Sequence, residues 1–333
     1  MTAPGYHVLG IGNALVDVIA HAEEDFLLAH GMRKGGMALV DEARSAALYD
    51  TMGPATEISG GSAANTLVGV ASLGAPAAFI GKVKADSLGR VFTHDIRAAG
   101  VNFDTLAATD GPATGRSLIL VTPDGERTMN TYLGAAQNLS PGDVPAELVR
   151  DSAITYLEGY LWDPEDAKAA FLKAAGLAHA AGRLVALSLS DAFCVDRFRA
   201  EFLDLIRNRV VDLTFANEAE VKSLYQTADF DSAVAGLRED AALGIVTRSE
   251  KGCLIVTREE THAVAAAPIA RFVDATGAGD LFAAGFLFGL ARGRPLPVAG
   301  AIGALCAAEI IQHLGARPEG SLRTLAAQNG YPV

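Results

Sequence analysis

The chain has 333 residues, half of them hydrophobic and a fifth charged, which is the composition of a large globular protein. Its formal net charge of −12 argues against a nucleic-acid-binding protein, and no cluster of lysines and arginines offsets that charge. The three cysteines are widely spaced, no apolar run is long enough to span a bilayer, and the N-terminus does not resemble a signal peptide. We therefore expect a cytoplasmic protein without disulfides, structural zinc or a membrane partner.

The first predicted strand, residues 6–12, is apolar and ends in glycines. Gly10-x-Gly12 resembles the start of a dinucleotide-binding fingerprint, but Leu15 stands where the third glycine belongs, so we reject that interpretation. Asn13 and Asp17 follow this strand directly. Asp17 is either a solvated strand residue or a carboxylate that accepts hydrogen bonds from substrate hydroxyls, and the sequence leaves both interpretations open.

The string Gly60-Gly61-Ser62-Ala63-Ala64-Asn65 opens a predicted helix of small residues. Paired glycines before a helix form either a plain turn or a hinge at which the backbone approaches a ligand. Residues 101–133 differ in character, because residues 114–121 alternate in polarity and Pro123-Asp124-Gly125 reads as a hairpin turn. We therefore predict a small β-rich unit that stands off the main body.

From residue 154 onward, short apolar strands at 154–157, 185–189, 212–215 and 245–246 alternate with helical runs, which predicts a parallel sheet. Polar residues follow the strand ends at three places: Ser190-Asp191, Asn217 with Glu220, and Thr247-Arg248. Open α/β sheets bind ligands at the carboxyl ends of their strands, so we expect a site there. Asn217 and Glu220 also fit a capping box, in which they would only start a helix.

The most informative stretch is Asp274-Ala275-Thr276-Gly277-Ala278-Gly279-Asp280, which leads into an apolar helix. Two glycines allow a tight turn with exposed N–H groups, and the helix directs its own free N–H groups and positive dipole end at that turn. Such a turn binds anions. Asp280 lies beside it and suits a general base that takes the proton of a hydroxyl attacking a phosphate; the alternative is a simple helix cap.

Together, these motifs resemble those of the ribokinase-like (PfkB) carbohydrate and nucleoside kinases. Five of them occur in the order expected of that family: residues 10–17, 60–65, 217–220, 247–252 and 274–280. Residues 12–17, 187–193 and 307–311 are similar to the adenosine kinase branch. The resemblance implies an α/β fold in which a large α/β domain with a mostly parallel central sheet comprises residues 1–13, 61–99 and 134–333. A small β-sheet lid would comprise residues 14–60 and 100–133.

The resemblance also implies roles for residues at the reacting and substrate-binding groups. Asp280 would be the base, and the transferring phosphoryl group would receive N–H groups from Gly277, Ala278 and Gly279. The substrate would contact Asn13, Asp17 and Asn65 through its hydroxyls, with a hinge at Gly60 and Gly61. An apolar slot for a flat base would lie between Leu133 and Phe193, although ordinary core packing is an equal alternative for both side chains.

On the nucleotide side, the resemblance implies that ATP lies against Thr247, Arg248 and Gly252. Many relatives carry glycine at position 248, so Arg248 either contacts the ATP phosphates or is a surface arginine. Asn217 and Glu220 would orient Mg²⁺ through water, which suits one carboxylate and one amide. Arg127 would be a lid arginine that reaches the phosphates. A monovalent cation also belongs to the family pattern, and these motifs do not identify its ligands.

We therefore expect an ATP-dependent, Mg²⁺-requiring kinase that phosphorylates the 5′-hydroxymethyl group of a ribose-containing substrate, adenosine or another purine nucleoside being favoured. The first alternative is a free-sugar kinase for ribose, fructose or a related ketose. An alternative of another class is an inactive nucleoside-binding regulatory protein. The expected partners are ATP and one small-molecule substrate, with no nucleic acid, and the expected assembly is a monomer or a homodimer.

Overall fold

The computed structural model describes residues 3–332, which form two β-sheets flanked by helices. The strands are β1 (Tyr6–Ile11), β2 (Leu15–His21), β3 (Met37–Leu39), β4 (Ala55–Gly60), β5 (Ala77–Ile80), β6 (Val101–Asn102), β7 (Thr114–Val121), β8 (Arg127–Gly134), β9 (Ser152–Glu158), β10 (Leu184–Ser188), β11 (Leu213–Asn217), β12 (Leu243–Thr247), β13 (Cys253–Val256) and β14 (Thr261–Val264). The helices are α1 (Glu24–Ala29), α2 (Glu42–Thr51), α3 (Ser62–Ser72), α4 (Ser87–Ala98), α5 (Ala146–Arg150), α6 (Glu165–Ala180), α7 (Ala192–Arg207), α8 (Glu218–Leu224), α9 (Phe230–Asp240), α10 (Ala278–Ala291), α11 (Leu296–Ile310) and α12 (Leu322–Gln328).

The large sheet has nine strands in the order β14-β13-β12-β11-β10-β9-β1-β5-β6. The seven strands from β12 to β6 run parallel, and β13 and β14 complete the sheet as antiparallel strands at one edge. One face packs on α3, α10 and α11, and the other packs on α6, α7, α8 and α9. Because both faces are covered, the parallel strands are continuous apolar runs, and their carboxyl ends meet at one edge.

The small sheet has the strand order β3-β8-β7-β2-β4. β7 and β8 form the hairpin predicted at residues 114–133, and β2 runs parallel to β7 with Asp17 opposite Ser117. The helices α1 and α2 pack on this sheet, with Leu27 of α1 buried against Leu120. The predicted fold class, a large mostly parallel α/β domain with a small β-sheet, is thus confirmed.

The predicted lid boundaries differ from the sheets in one respect. β6 lies within the second lid segment, 100–133, yet it pairs with β5 at the edge of the large sheet. The chain first adds the two-residue strand β6 beside β5 at the edge of the large sheet. It then passes to the small sheet, whose next strand, β7, begins at Thr114. Within residues 3–332, none of the helices is long and apolar enough to cross a membrane.

Candidate active site

The loop before α10 has the local geometry that its sequence predicts. Gly277 has a φ of +77°, the left-handed region that favours glycine, and a Cβ there would lie 2.9 Å from Cα of Ala316. The N–H of Ala278 donates to the carbonyl of Ala275 at 3.1 Å. Among the described residues, the N–H groups of Gly277 and Gly279 have no acceptor, so these two groups of the expected three are available to an anion.

Asp280 lies in the first turn of α10, and the first turn of α3 holds its carboxylate from the other side. Its Oδ1 accepts a hydrogen bond from Ser62 Oγ at 2.6 Å, and its Oδ2 accepts one from Asn65 Nδ2 at 3.0 Å. Burial raises the pKa of Asp280 above its ordinary value, although these two hydrogen bonds and the charge of Arg317 act in the opposite direction. A fixed carboxylate with a raised pKa suits a general base.

Asp17 is half-buried on β2 and lines the same cavity as Asp280. Burial raises the pKa of Asp17 to about 6, and the charges of Arg317 and Arg127 oppose that shift. Gly60 lies against this side chain, because a Cβ on Gly60 would be 2.4 Å from Cγ of Asp17. The first glycine of the pair is therefore required by the approach of a carboxylate, whatever its part in hinge motion.

Sequence reasoning did not single out Arg317, which lies close to the carboxylates of the site. Its guanidinium donates to the carbonyl of Ser59 from Nη2 at 2.5 Å and to the carbonyl of Ala64 from Nη1 at 3.2 Å. Burial lowers the pKa of Arg317 to about 10, and the nearby Asp17 and Asp280 oppose this shift. It places a positive charge beside both acids, yet no local pattern marks a lone arginine near the end of a chain.

Glu158, at the carboxyl end of β9, is a second buried charge that sequence reasoning did not select. Its side chain is 1% exposed and accepts hydrogen bonds from Asn13 and from the N–H of Ala63. Burial raises the pKa of Glu158 to about 7, opposed chiefly by these hydrogen bonds. A single glutamate after an apolar strand resembles an ordinary surface residue, so only the fold reveals its position.

The carboxylates of Asp17, Asp280 and Glu158 line a cavity of about 830 Å³ between the small sheet and the carboxyl ends of the large sheet, and Arg317 is not among its lining residues. Its polar part contains Asn13, Asp17, Asn65, Glu158 and Asp280, and its apolar part contains Leu15, Met37, Leu39, Ile119, Met129, Leu133, Phe193 and Phe198. Phe193 is 63% exposed, so it is not a core residue as one interpretation held. Leu133 and Phe193 line the same cavity, as an apolar slot requires.

Asn217 and Glu220 form a capping box, which the sequence offered as the alternative to a magnesium site. The N–H of Glu220 donates to Asn217 Oδ1 at 2.9 Å, and the N–H of Asn217 donates to Glu220 Oε2 at 3.0 Å. Burial raises the pKa of Glu220 to about 7. Both residues also line the cavity, so their capping role leaves a carboxylate and an amide facing the ligand space.

Of Thr247, Arg248 and Gly252, which were expected along ATP, only Thr247 lines the cavity. Arg248 pairs with Glu218, Nε to Oε2 at 3.2 Å, and its guanidinium carbon lies 3.9 Å from the centre of the Phe230 ring. Gly252 has a φ of +80°, and a Cβ there would lie 2.0 Å from the carbonyl oxygen of Val264. Gly252 thus closes a turn against β14, and a contact of either residue with ATP stays a prediction.

Arg127 reaches from the small sheet to the loop before α10. Its guanidinium Nη1 lies 2.9 Å from Asp274 Oδ2, and both side chains are more than nine-tenths buried. The pair lacks good hydrogen-bond geometry, and none of the three guanidinium nitrogens has another partner within residues 3–332. Asp274 also accepts from the N–H of Thr276 at 3.0 Å and from the N–H of Gly315 at 3.1 Å. Arg127 is not among the residues that line the cavity described above, so a contact of its unpaired donors with a phosphate stays a prediction.

Known proteins resemble this chain over most of its length. A model described as pfkB family carbohydrate kinase matches residues 47–322. The chain is 52% identical to an adenosine kinase from Sinorhizobium meliloti with a solved structure. The match covers 98% of this chain and 99% of that protein, with a TM-score of 0.92. A probable sugar kinase from Rhizobium etli CFN 42 is 51% identical, with 98% and 99% covered and a TM-score of 0.93. A fructokinase from Solanum tuberosum is 28% identical over 235 residues, which is 68% of this chain and 70% of that protein.

Proposed function

We propose that this chain, which belongs to the pfkB family of carbohydrate kinases, transfers the terminal phosphoryl group of ATP to the 5′-hydroxyl of a purine nucleoside, adenosine first. Membership in this family makes it a phosphotransferase with an alcohol group as acceptor. The observation that carries the nucleoside assignment is the composition of the cavity. The lining of that cavity combines carboxylate and amide acceptors suited to hydroxyls with apolar side chains of the small sheet and Phe193 suited to a flat base.

The polar part of the cavity lining suits a ribose. Asp17 offers carboxylate oxygens, which only accept hydrogen bonds, and Asn65 offers an amide oxygen beside Asp280. The apolar lining suits a flat base, because aliphatic side chains of the small sheet and the exposed ring of Phe193 line the same cavity. A free sugar would leave this apolar surface without a partner.

In the proposed reaction, the 5′-oxygen of the substrate forms a bond to the γ-phosphorus of ATP while the bond from that phosphorus to the β,γ-bridging oxygen breaks, and ADP leaves. Asp280 accepts the proton of the attacking hydroxyl, and Ser62 and Asn65 keep its carboxylate in place. The free N–H groups of Gly277 and Gly279, together with the α10 dipole, stabilise the charge on the phosphoryl oxygens. Arg127 would add its positive charge to that stabilisation by reaching the phosphates, whereas in this structure it pairs with Asp274 outside the cavity lining.

The donor set at Asn217 and Glu220 fits a hydrated magnesium ion. Within residues 3–332, no three His, Cys, Asp or Glu side chains cluster to hold a metal directly, and Glu220 already accepts hydrogen bonds from Asn217. Hard oxygen ligands that act through water are typical of Mg²⁺ bound with a nucleotide. When bound, the ion would neutralise phosphate charge.

A free-sugar kinase is the second candidate, and the similarity to the plant fructokinase and to the probable sugar kinase favours it. The 52% identity to an adenosine kinase over nearly the whole chain favours the nucleoside. An inactive binding protein is the least supported alternative, because Asp280 and its two hydrogen-bond donors are all present.

The test is ADP release measured across adenosine, inosine, guanosine, ribose and fructose at saturating Mg-ATP. A purine that fills the slot should raise kcat/KM for adenosine about tenfold or more over either free sugar, since even one buried methylene discriminates about tenfold or better. A parallel preparation of Asp280→Asn controls for contaminating kinases. A free sugar that outperforms every nucleoside would replace the nucleoside assignment with the sugar-kinase alternative.

A further inference from the structure

Glu158 has no direct part in the reaction above, yet its buried carboxylate joins two segments beside the cavity, one at Asn13 and one at Ala63. Its Oε1 accepts from Asn13 Nδ2 at 2.7 Å and from the N–H of Asn13 at 3.3 Å. Its Oε2 accepts from the N–H of Ala63 at 2.8 Å. One carboxylate therefore links the residue that follows β1 to the first turn of α3, which also carries Ser62 and Asn65.

This carboxylate determines how the Asn13 side chain is oriented. A carboxylate only accepts hydrogen bonds, so an amide beside it must present its NH₂ end and turn its oxygen away. The oxygen Oδ1 of Asn13 is buried and has no hydrogen-bond partner within residues 3–332. Asn13 lines the cavity, so this acceptor lacks a donor that a ligand could supply.

Asn65 shows the same arrangement at the neighbouring position. Its Nδ2 donates to Oδ2 of Asp280, and its Oδ1 is likewise buried without a partner in the part of the chain described. Two amides that line the cavity are thus each fixed at the NH₂ end by a carboxylate and left with an unpaired oxygen. Unpaired buried acceptors are rare in folded proteins, and two in one cavity indicate a ligand that donates hydrogen bonds.

Two glycines make room for this arrangement. A Cβ on Gly12 would lie 2.3 Å from Oε2 of Glu158, and a Cβ on Gly61 would lie 2.1 Å from the carbonyl oxygen of Asn13. Gly61 also has a φ of +99°, which side chains of L-residues rarely adopt. The Gly10-x-Gly12 string, which has no dinucleotide-binding role, thus includes a glycine whose missing side chain admits the Glu158 carboxylate.

We propose that Glu158 is a positioning residue for substrate specificity: it holds the Asn13 amide so that Oδ1 accepts a hydrogen bond from a substrate hydroxyl. The inference rests on the proposed kinase function and adds a specificity-determining group to it. Because the same carboxylate holds the N–H of Ala63, it also keeps this hydroxyl contact in register with the α3 turn that supports Asp280.

The first test is Glu158→Gln, which keeps the size of the side chain and replaces one acceptor by an NH₂ group. The introduced amide has two orientations. In the first, its oxygen accepts from Asn13 and its NH₂ group faces the N–H of Ala63. In the second, its oxygen accepts from the N–H of Ala63, and the Asn13 amide must rotate to accept from the NH₂ group. The first orientation sets two donors against each other and shifts the α3 turn relative to Asn13, and the second turns Oδ1 of Asn13 away from the substrate, so both weaken the contact of Oδ1 with the hydroxyl. We expect KM for the preferred substrate to rise about tenfold, as for one lost hydrogen bond, with kcat changed less than about threefold.

The decisive readout is the dependence of that KM change on substrate hydroxyls. Adenosine is compared with 2′-deoxyadenosine and 3′-deoxyadenosine, and matching deoxy sugars replace them if the wild-type protein prefers a free sugar. With the analogue that lacks the hydroxyl bound by Asn13, the variant should differ from wild type less than about twofold, because the contact is already absent. Glu201→Gln is the matched control, since Glu201 holds Trp162 and Lys168 outside the cavity.

A charge-swapped pair provides the rescue. In Asn13→Asp with Glu158→Gln, the introduced amide donates to one oxygen of the new carboxylate, and the other oxygen can accept from the substrate. The double variant should recover KM to within about threefold of wild type, whereas Asn13→Asp alone places two carboxylates in contact and should bind worst. If Glu158→Gln does not fold, the double variant carries the test, because it restores the hydrogen bond between the two side chains, the shorter of the two contacts at Oε1.

The outcomes separate this proposal from the function on which it rests. If Glu158→Gln raises KM equally for substrates with and without each hydroxyl, or if the swap gives no rescue, the positioning role is overturned while the kinase function stands. If the wild-type protein phosphorylates no nucleoside and no sugar, the proposed function fails and this inference fails with it.

Discussion

Replacing Asp280 by asparagine removes the proposed base with little disturbance of its surroundings. The wild-type carboxylate accepts from Ser62 Oγ at 2.6 Å and from Asn65 Nδ2 at 3.0 Å. Asparagine can keep both contacts, because its carbonyl accepts from Asn65 and its NH₂ donates to the Ser62 hydroxyl, which acts as donor or acceptor. Alanine would instead leave both neighbours unpaired, at a cost of about 1–3 kcal/mol for each buried group.

The expected loss of rate follows from the role of a general base. Such groups contribute about 10²–10⁴-fold, so the activation free energy should rise by about 2.7–5.5 kcal/mol. Stability should change in the other direction. Burial raises the pKa of Asp280 in the folded state, so folding favours the protonated form and the ionised carboxylate lowers stability at neutral pH. We therefore expect the melting temperature of Asp280→Asn to equal or exceed that of wild type.

Three measurements check this prediction: kcat from ADP release, substrate affinity from calorimetry, and the melting temperature. Asp240→Asn is the matched control, because Asp240 precedes the amino end of β12, at the edge of the sheet opposite the cavity, and pairs with Arg207 at 3.0 Å. Its activity should stay near that of wild type. If Asp280→Asn retains a rate within a few-fold of wild type, Asp280 is not the base, and a helix-capping role would remain.

Two further changes test the charges around the phosphates. Glu220→Gln removes the carboxylate charge that is proposed to orient Mg²⁺ but keeps a residue that capping boxes accept. The Mg²⁺ concentration for half-maximal rate should therefore rise about 10–100-fold, as for other outer-shell metal contacts, with little loss of thermal stability. An unchanged Mg²⁺ titration with a lower melting temperature would show that Glu220 only caps the helix. Arg127→Ala removes a buried guanidinium that pairs with Asp274, so kcat should fall about 10²-fold with KM nearly constant. An intact kcat would refute a role of Arg127 at the phosphates.

The sequence by itself determined the elements whose signals are local. Strands predicted at 154–157, 185–189, 212–215 and 245–246 coincide with β9 to β12, because parallel strands covered on both faces need continuous apolar runs. The turn at Gly277 and the start of α10 were likewise predictable, since a left-handed residue before a helix is a property of a few neighbouring residues. The family resemblance added the expected roles of Asp280, Asp17 and Asn65.

Only the tertiary structure decided which distant groups meet. Ser62 and Asp280 are 218 positions apart, and their hydrogen bond exists because two helix N-termini converge at the edge of the large sheet. Glu158 and Arg317 carry no local signal, because a single charged residue in the sequence looks the same whether packing leaves it in solvent or buries it. The same limit applies to Arg248, for which the sequence left an ATP contact and a surface position open; its guanidinium packs against Phe230 and pairs with Glu218, and a contact with ATP stays a prediction. Side-chain direction and burial depend on neighbours that only long-range packing supplies.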